Sequence, residues 1–210
     1  MLTSNYRRTA GFTLIEMVVA VTIFAILVAM TAPTMKLWIA NTKVRAIADS
    51  LQNGIRLAQA EAERRSRQVV FALTNNATPA VGFTATTSGT YWAIQTFPFA
   101  GETPVLIASG VLSSAGTTVT ITAGQNQTAL CFNSLGRLVA NSSPGPSGAT
   151  CTTPTASNTS NVTANPQPTF TYTVSMTGAD HNLEVEVATG GQLHLCDPTK
   201  TFSATNPYGC

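Results

Sequence analysis

The sequence predicts an α+β protein in which one long N-terminal helix packs on a β-rich head of mainly antiparallel strands. Three observations predict it. A charge-free run, Met17–Met35, follows a basic leader and, with the apolar residues before it, matches the roughly 20 residues that cross a bilayer. Beyond it, Val44, Ile47, Leu51, Ile55, Ala58 and Ala62 step by three and four, which is one face of a helix. From Gln68 onward, short runs rich in β-branched and aromatic residues are separated by turn residues, the pattern of strands.

The helix comes first. Lys43, Arg45, Asp49, Gln52, Arg56, Glu63 and Arg64 fall off the apolar stripe. A continuous helix from Phe12 to about Arg65 is roughly 80 Å long at 1.5 Å per residue. Residues 12–35 form its hydrophobic part and 36–67 its amphipathic continuation. Gly54 interrupts it, at about 1 kcal/mol relative to alanine. Arg64, Arg65 and Arg67 cluster at its end. Cations there meet the negative end of the helix dipole; the competing reading is a contact for nucleic acid or an acidic neighbour.

The head occupies 68–210. Strands are predicted over Gln68–Leu73, Tyr91–Thr96, Val105–Ala108, Thr117–Thr122, Ala129–Phe132 and Phe170–Ser175. Leu183–Val187 alternates apolar and acidic residues, which predicts one buried and one wet face. Thr189-Gly190-Gly191 supplies a turn, and Gln192–Cys196 returns as the hairpin partner. Residues 141–168, rich in Ser, Thr, Asn, Pro and Gly, are predicted to bury little apolar surface and to be mobile, with Cys151 as a tether.

Composition narrows the function. Charged residues are only 10% of the 210, and the formal charge of +2 is uneven. From Thr74 onward, Arg137 and Lys200 face Glu102, Asp180, Glu184, Glu186 and Asp197, a net −3. The four cysteines, Cys131, Cys151, Cys196 and Cys210, lack C-x-x-C spacing, which argues against a zinc site, and no metal or other cofactor is expected. An even count in an exported domain reads as two disulfides, expected as Cys131–Cys151 and Cys196–Cys210, with the crossed and nested pairings open. His181 and His194 read as surface or sheet residues. With no G-x-S-x-G, phosphate-cradling loop or H-E-x-x-H pattern, no catalytic residue is assigned and the protein is not expected to be an enzyme.

One acidic residue, Glu16, stands inside the apolar segment, where an ionised side chain costs roughly 2.5–3.5 kcal/mol on insertion scales. A carboxylate near a helix end can snorkel to the headgroups. An ordinary secretory signal ends in a small-x-small site after its apolar run, but here Pro33 follows Ala32. The other possible cut, between Gly11 and Phe12, removes the basic leader (1–11) and keeps the helix. The stretch GFTLIEMVVAVTIFAIL resembles the class III signal of type IV pilins and type II secretion pseudopilins. That resemblance implies the pilin fold, cleavage by a prepilin peptidase after Gly11, and N-methylation of Phe12. It implies that Glu16 of one subunit meets the N-terminal amine of a neighbour, an attraction that low dielectric strengthens. It further implies that the helix loosens near Pro33 in the filament. The partners it implies are other minor and major pilins. The location is the inner membrane with a periplasmic head, then the extracellular filament.

Within that class, Phe132, Asn133, Gly136 and Arg137 resemble the F-N-x-x-G-R strand-turn of the GspH/FimT group. Tyr91–Ile94 is similar to its aromatic strand, and the hairpin ending in Cys196 to the FimU/FimT branch. The resemblance implies a minor pilin that primes assembly at or near the filament tip. The alternatives are a minor pseudopilin of type II secretion and a DNA receptor for natural transformation. Some FimT members bind DNA through Gly-Arg-x-Arg in the last hairpin. This chain has Gly191-Gln192-Leu193-His194 there, so DNA is not an expected partner and any residual contact falls to Arg64, Arg65 and Arg67.

Overall fold

The structure, a computed structural model, describes residues 11–112, 119–155 and 168–210, and the side chains of all of these except 32 and 33. The leader through Ala10, the start of the strand predicted from Thr117, and residues 156–167 of the polar segment lie outside that description.

Helix α1 (Leu14–Arg65) is continuous over 52 residues, including Pro33. Thr13 caps its start: its backbone is extended and its hydroxyl accepts from the Glu16 N–H at 3.3 Å. Ser66 ends it in the left-handed conformation (φ 49°), its N–H turned back to the carbonyls of Ala62 and Glu63. Burial divides the helix. Leu14 to Ile39 is almost wholly exposed, whereas Ala40, Val44, Ala48, Leu51, Ile55, Ala58 and Ala62 are buried. The buried centre line thus passes through Ala48, and Ile47 packs on the flank. The pattern 44, 48, 51, 55, 58, 62 keeps a straighter seam than one through 47, and the small alanine lets the sheets come close.

Eight strands follow among the described residues: β1 (Val69–Thr74), β2 (Tyr91–Thr96), β3 (Leu106–Val111), β4 (Val119–Ala123), β5 (Ala129–Phe132), β6 (Thr169–Met176), β7 (Leu183–Ala188) and β8 (Leu193–Cys196). They form two antiparallel sheets in the orders β3-β2-β1-β5 and β4-β6-β7-β8. Both contribute to one core under the helix: Phe71, Ile94 and Phe132 from the first, and Phe170, Tyr172, Val174, Val185 and Val187 from the second. Asn41 accepts from the Asp180 N–H at 2.9 Å and ties the β6–β7 turn to the helix.

A second core lies on the other face of β1, where Val70 and Ala72 meet Phe83, Ala85, Ala93, Ala149 and the Cys131–Cys151 bridge. This corrects one expectation. The described part of the polar segment, 141–155, is docked rather than loose: Ala149 and Cys151 are buried, and Asn141 and Cys151 exchange backbone hydrogen bonds. Ala149 and Cys151 pack with Val70 and Ala72 of β1, and the disulfide fixes their position.

Gly54 has a packing role. A Cβ there would lie 2.9 Å from the indole of Trp92 and 3.2 Å from Phe71. Trp92 in turn lies across Gly110, its cross-strand partner on β3, where an added Cβ would fall 2.5 Å from the ring. The indole therefore fills space that two glycines leave.

Candidate functional site

The helix start presents the features singled out in the sequence. Phe12 is 76% exposed, and Glu16 is exposed in the first turn. Thr13 and Glu16 have the S/T-x-x-E spacing of a helix start, and the carboxylate lies at the positive end of the helix dipole. So Glu16 has a local use in opening the helix besides any intermolecular one. Around it, Phe12, Leu14, Ile15, Val21 and Phe24 are all more than 60% exposed. Among the described residues, no part of the head covers this stretch. An apolar surface that size requires lipid or other helices around it.

At the far end of the helix, the three arginines are engaged internally. Arg64 grips Glu61 with two hydrogen bonds (3.0 and 2.7 Å), and Arg65 Nε adds a third at 2.7 Å. The hydrogen bonds from Arg64, then Arg65, pull the Glu61 carboxyl down to about 2. Arg67 donates to Glu102 at 2.7 Å and lies over the Phe99 ring at 4.9 Å. The same bond holds the Glu102 carboxyl below its ordinary range. Each arginine side chain is thus turned toward a carboxylate of its own chain.

The F-N-x-x-G-R segment is a turn that locks the helix end to both sheets. Asn133 Oδ1 accepts from the N–H groups of Leu135 and Arg137 at 2.9 and 3.0 Å. Gly136, at φ 71°, sits where a Cβ would strike Glu63 and Gln59, and Gln59 Nε2 donates to its carbonyl at 3.0 Å. Gly191 (φ 87°) of the β7–β8 turn packs against that same carbonyl. The Leu138 N–H donates across to Thr189 at 3.0 Å. Phe132 is buried, and Arg137 is exposed. These positions fix one junction between helix, first sheet and second sheet.

The cysteines pair as Cys131–Cys151 and Cys196–Cys210. The second bridge holds the C-terminal tail on the end of β8, with Asp197 N–H donating to Tyr208 and Cys210 N–H to Lys200. Burial works to raise the Asp197 carboxyl, but hydrogen bonds from Thr199 and Lys200 outweigh it and keep it low. A groove of about 480 Å³ lies between this tail and the helix, lined in part by Trp38, Arg45, Asp197 and Tyr208.

The alternation over Leu183–Val187 predicts a wet outer face, and the structure corrects this. Val185 and Val187 face the core, yet Glu186 on the opposite face is only 5% exposed. Glu184 is half-buried and accepts from the Thr173 hydroxyl at 2.9 Å. Polar partners on β6 and β8 and the bridge to Cys210 occupy the side where solvent was expected. Glu186 Oε2 lies 3.8 Å from His194 Nδ1, and ligand atoms of Glu186, His194 and Cys196 are all within 4.8 Å of one another. Sequence spacing missed this grouping because it is assembled across a hairpin. The signal that would have found it is His-x-Cys on one strand opposite a glutamate across a Thr-Gly-Gly turn.

Residues 6–32 match the family model described as the prokaryotic N-terminal methylation motif. The chain therefore carries that motif at the head of a long helix bearing an antiparallel β head. No curated protein matches the chain. Among solved structures, the type IV minor pilin FimU of Pseudomonas aeruginosa is similar at 14% identity and a TM-score of 0.49, covering 80% of this chain and 96% of FimU. The minor pseudopilin EpsH from the type 2 secretion system of Vibrio cholerae is similar at 12% identity and a TM-score of 0.45, covering 75% and 99%. GspH of E. coli is similar at 11% identity and a TM-score of 0.44, covering 75% and 90%.

Proposed function

We propose that the protein is a minor type IV pilin of the GspH/FimT group, a structural subunit rather than an enzyme. One observation carries this reading: the methylation motif heads an apolar helix that the head leaves bare, and the same helix continues unbroken into the core of the head. A prepilin peptidase cuts between Gly11 and Phe12, Phe12 is N-methylated, and the helix holds the chain in the inner membrane with its head in the periplasm. On assembly the bare face exchanges lipid for neighbouring pilin helices. Glu16 pairs with a neighbour's amine, and the pair sets axial register more than it adds net stability. The subunit primes assembly and sits at or near the tip.

The intact mass of protein extracted from membranes tests the processing step. The expected mass is that of a chain starting at methylated Phe12. A chain starting at Met1, or after Ala32, overturns the reading. Recovery with sheared pili supports a pilus subunit, whereas recovery only with a secretion apparatus assigns it to a pseudopilus.

A further inference from the structure

We propose that the chain with its Cys196–Cys210 bridge reduced holds one Zn²⁺ between Cys196, Cys210, His194 and Glu186, so that metal binding and this disulfide exclude each other. The register builds the site. Glu186 and His194 are directly opposed on β7 and β8, and Cys196 is two residues beyond His194, hence on the same face. Their ligand atoms already lie within 4.8 Å of one another, and the bond to Cys196 holds the Cys210 sulfur beside that of Cys196. His194 Nδ1 is buried and makes no hydrogen bond among the described residues, with Glu186 Oε2 3.8 Å away; in the tautomer protonated at Nε2, Nδ1 carries the lone pair that a metal takes. Two thiolates, an imidazole and a carboxylate are four donors of the types zinc takes in a tetrahedral site, and the sulfurs disfavour calcium or magnesium.

Reduction need not scatter the donors. The tail keeps its backbone hydrogen bonds: Asp197 N–H to Tyr208, and Cys210 N–H to Lys200 at 3.0 Å. A dithiol reductant supplies the two electrons and two protons that turn the disulfide into two thiols, and itself becomes a disulfide. Zinc then displaces both thiol protons to solvent. In the oxidised chain the sulfurs carry no charge and are poor ligands, which leaves only the imidazole and the carboxylate. The other bridge offers no such site. Cys131 and Cys151 are packed among Val70, Ala72, Phe83 and Ala149, and among the described residues they join no group of metal-ligating side chains.

The test uses the full chain in detergent, reduced with a phosphine, with Co²⁺ as the spectroscopic probe. The expected result is one equivalent bound with the visible bands of a tetrahedral thiolate site, displaced by Zn²⁺ and absent before reduction. His194→Ala should weaken binding by more than the roughly 10–100-fold that loss of a mere outer-shell partner causes. Cys131→Ser with Cys151→Ser should keep the bands, and Cys196→Ser with Cys210→Ser should abolish them. Zn²⁺ should also raise the melting temperature of the reduced chain, a readout that shows the fold is retained. The proposal is overturned by a reduced chain without thiolate bands, or by bands of equal strength and affinity in His194→Ala.

Discussion

Replacing Gly54 with alanine sets two effects of known sign against each other. In an exposed helix interior the change stabilises by about 0.8–1.0 kcal/mol. Here the new methyl lands 2.9 and 3.1 Å from two atoms of the Trp92 indole and 3.2 Å from Phe71. Comfortable carbon contacts are about 3.5–4.0 Å. The indole must therefore retreat by about half an ångström or more, but it already lies across Gly110 and is stacked on Phe71, with ring centroids 6.0 Å apart. Overpacking of this kind costs about 1–3 kcal/mol. The net expectation is a destabilisation of about 1 kcal/mol, or about 2–4 °C in melting temperature for a chain of this size. In a Trp92→Leu background the two closest contacts are gone and only Phe71, at 3.2 Å, must yield, so Gly54→Ala should then stabilise by up to about 1 kcal/mol. The sign reversal amounts to a coupling of about 1–2 kcal/mol, large for a contacting pair but within the usual range. Urea unfolding of the detergent-solubilised chain, followed by circular dichroism, measures all four corners of the cycle. If Gly54→Ala raises stability with Trp92 intact, the packing argument is refuted.

Three further outcomes are expected. Glu16→Val should leave membrane insertion intact and reduce recovery in sheared pili; normal recovery argues against an assembly role. Glu61 titrates near 2 in the folded chain and near 4.5 unfolded, so its contribution is full above about pH 4.5 and is lost as pH falls toward 2. The melting temperature should fall over that window, and Glu61→Gln should flatten the fall. The chain should bind duplex DNA only weakly at about 150 mM salt, since its basic cluster is engaged with Glu61 and Glu102 and its distal part carries a net −3. Micromolar binding in a gel shift that survives loss of Arg64, Arg65 and Arg67 reverses that expectation.

Much of the architecture was legible because its signals are local. The helix from Phe12 to about Arg65 follows from periodicity and composition, and the structure places it at Leu14–Arg65. The strands at Tyr91–Thr96 and Ala129–Phe132 fall where the β-branched and aromatic runs predict. β3 runs three residues further than Val105–Ala108 suggests, because pairing with β2 satisfies backbone groups that side-chain pattern cannot report. Alternation over Leu183–Val187 predicts an exposed Glu186, yet Glu186 is buried, because a side chain's environment is set by what lies across the sheet.

The sequence by itself determined what depends on neighbours along the chain: a motif-bearing apolar helix, its amphipathic continuation, and a head of short strands. Tertiary structure decided what depends on residues far apart meeting. It put the helix-end arginines on Glu61 and Glu102, and it made Gly54 and Gly110 the space for one indole. It gathered Glu186, His194 and Cys196 on one sheet face. Periodicity encodes which face of an element is apolar; only sheet register and packing fix which side chains share that face's surroundings, and so their charge partners and their chemistry.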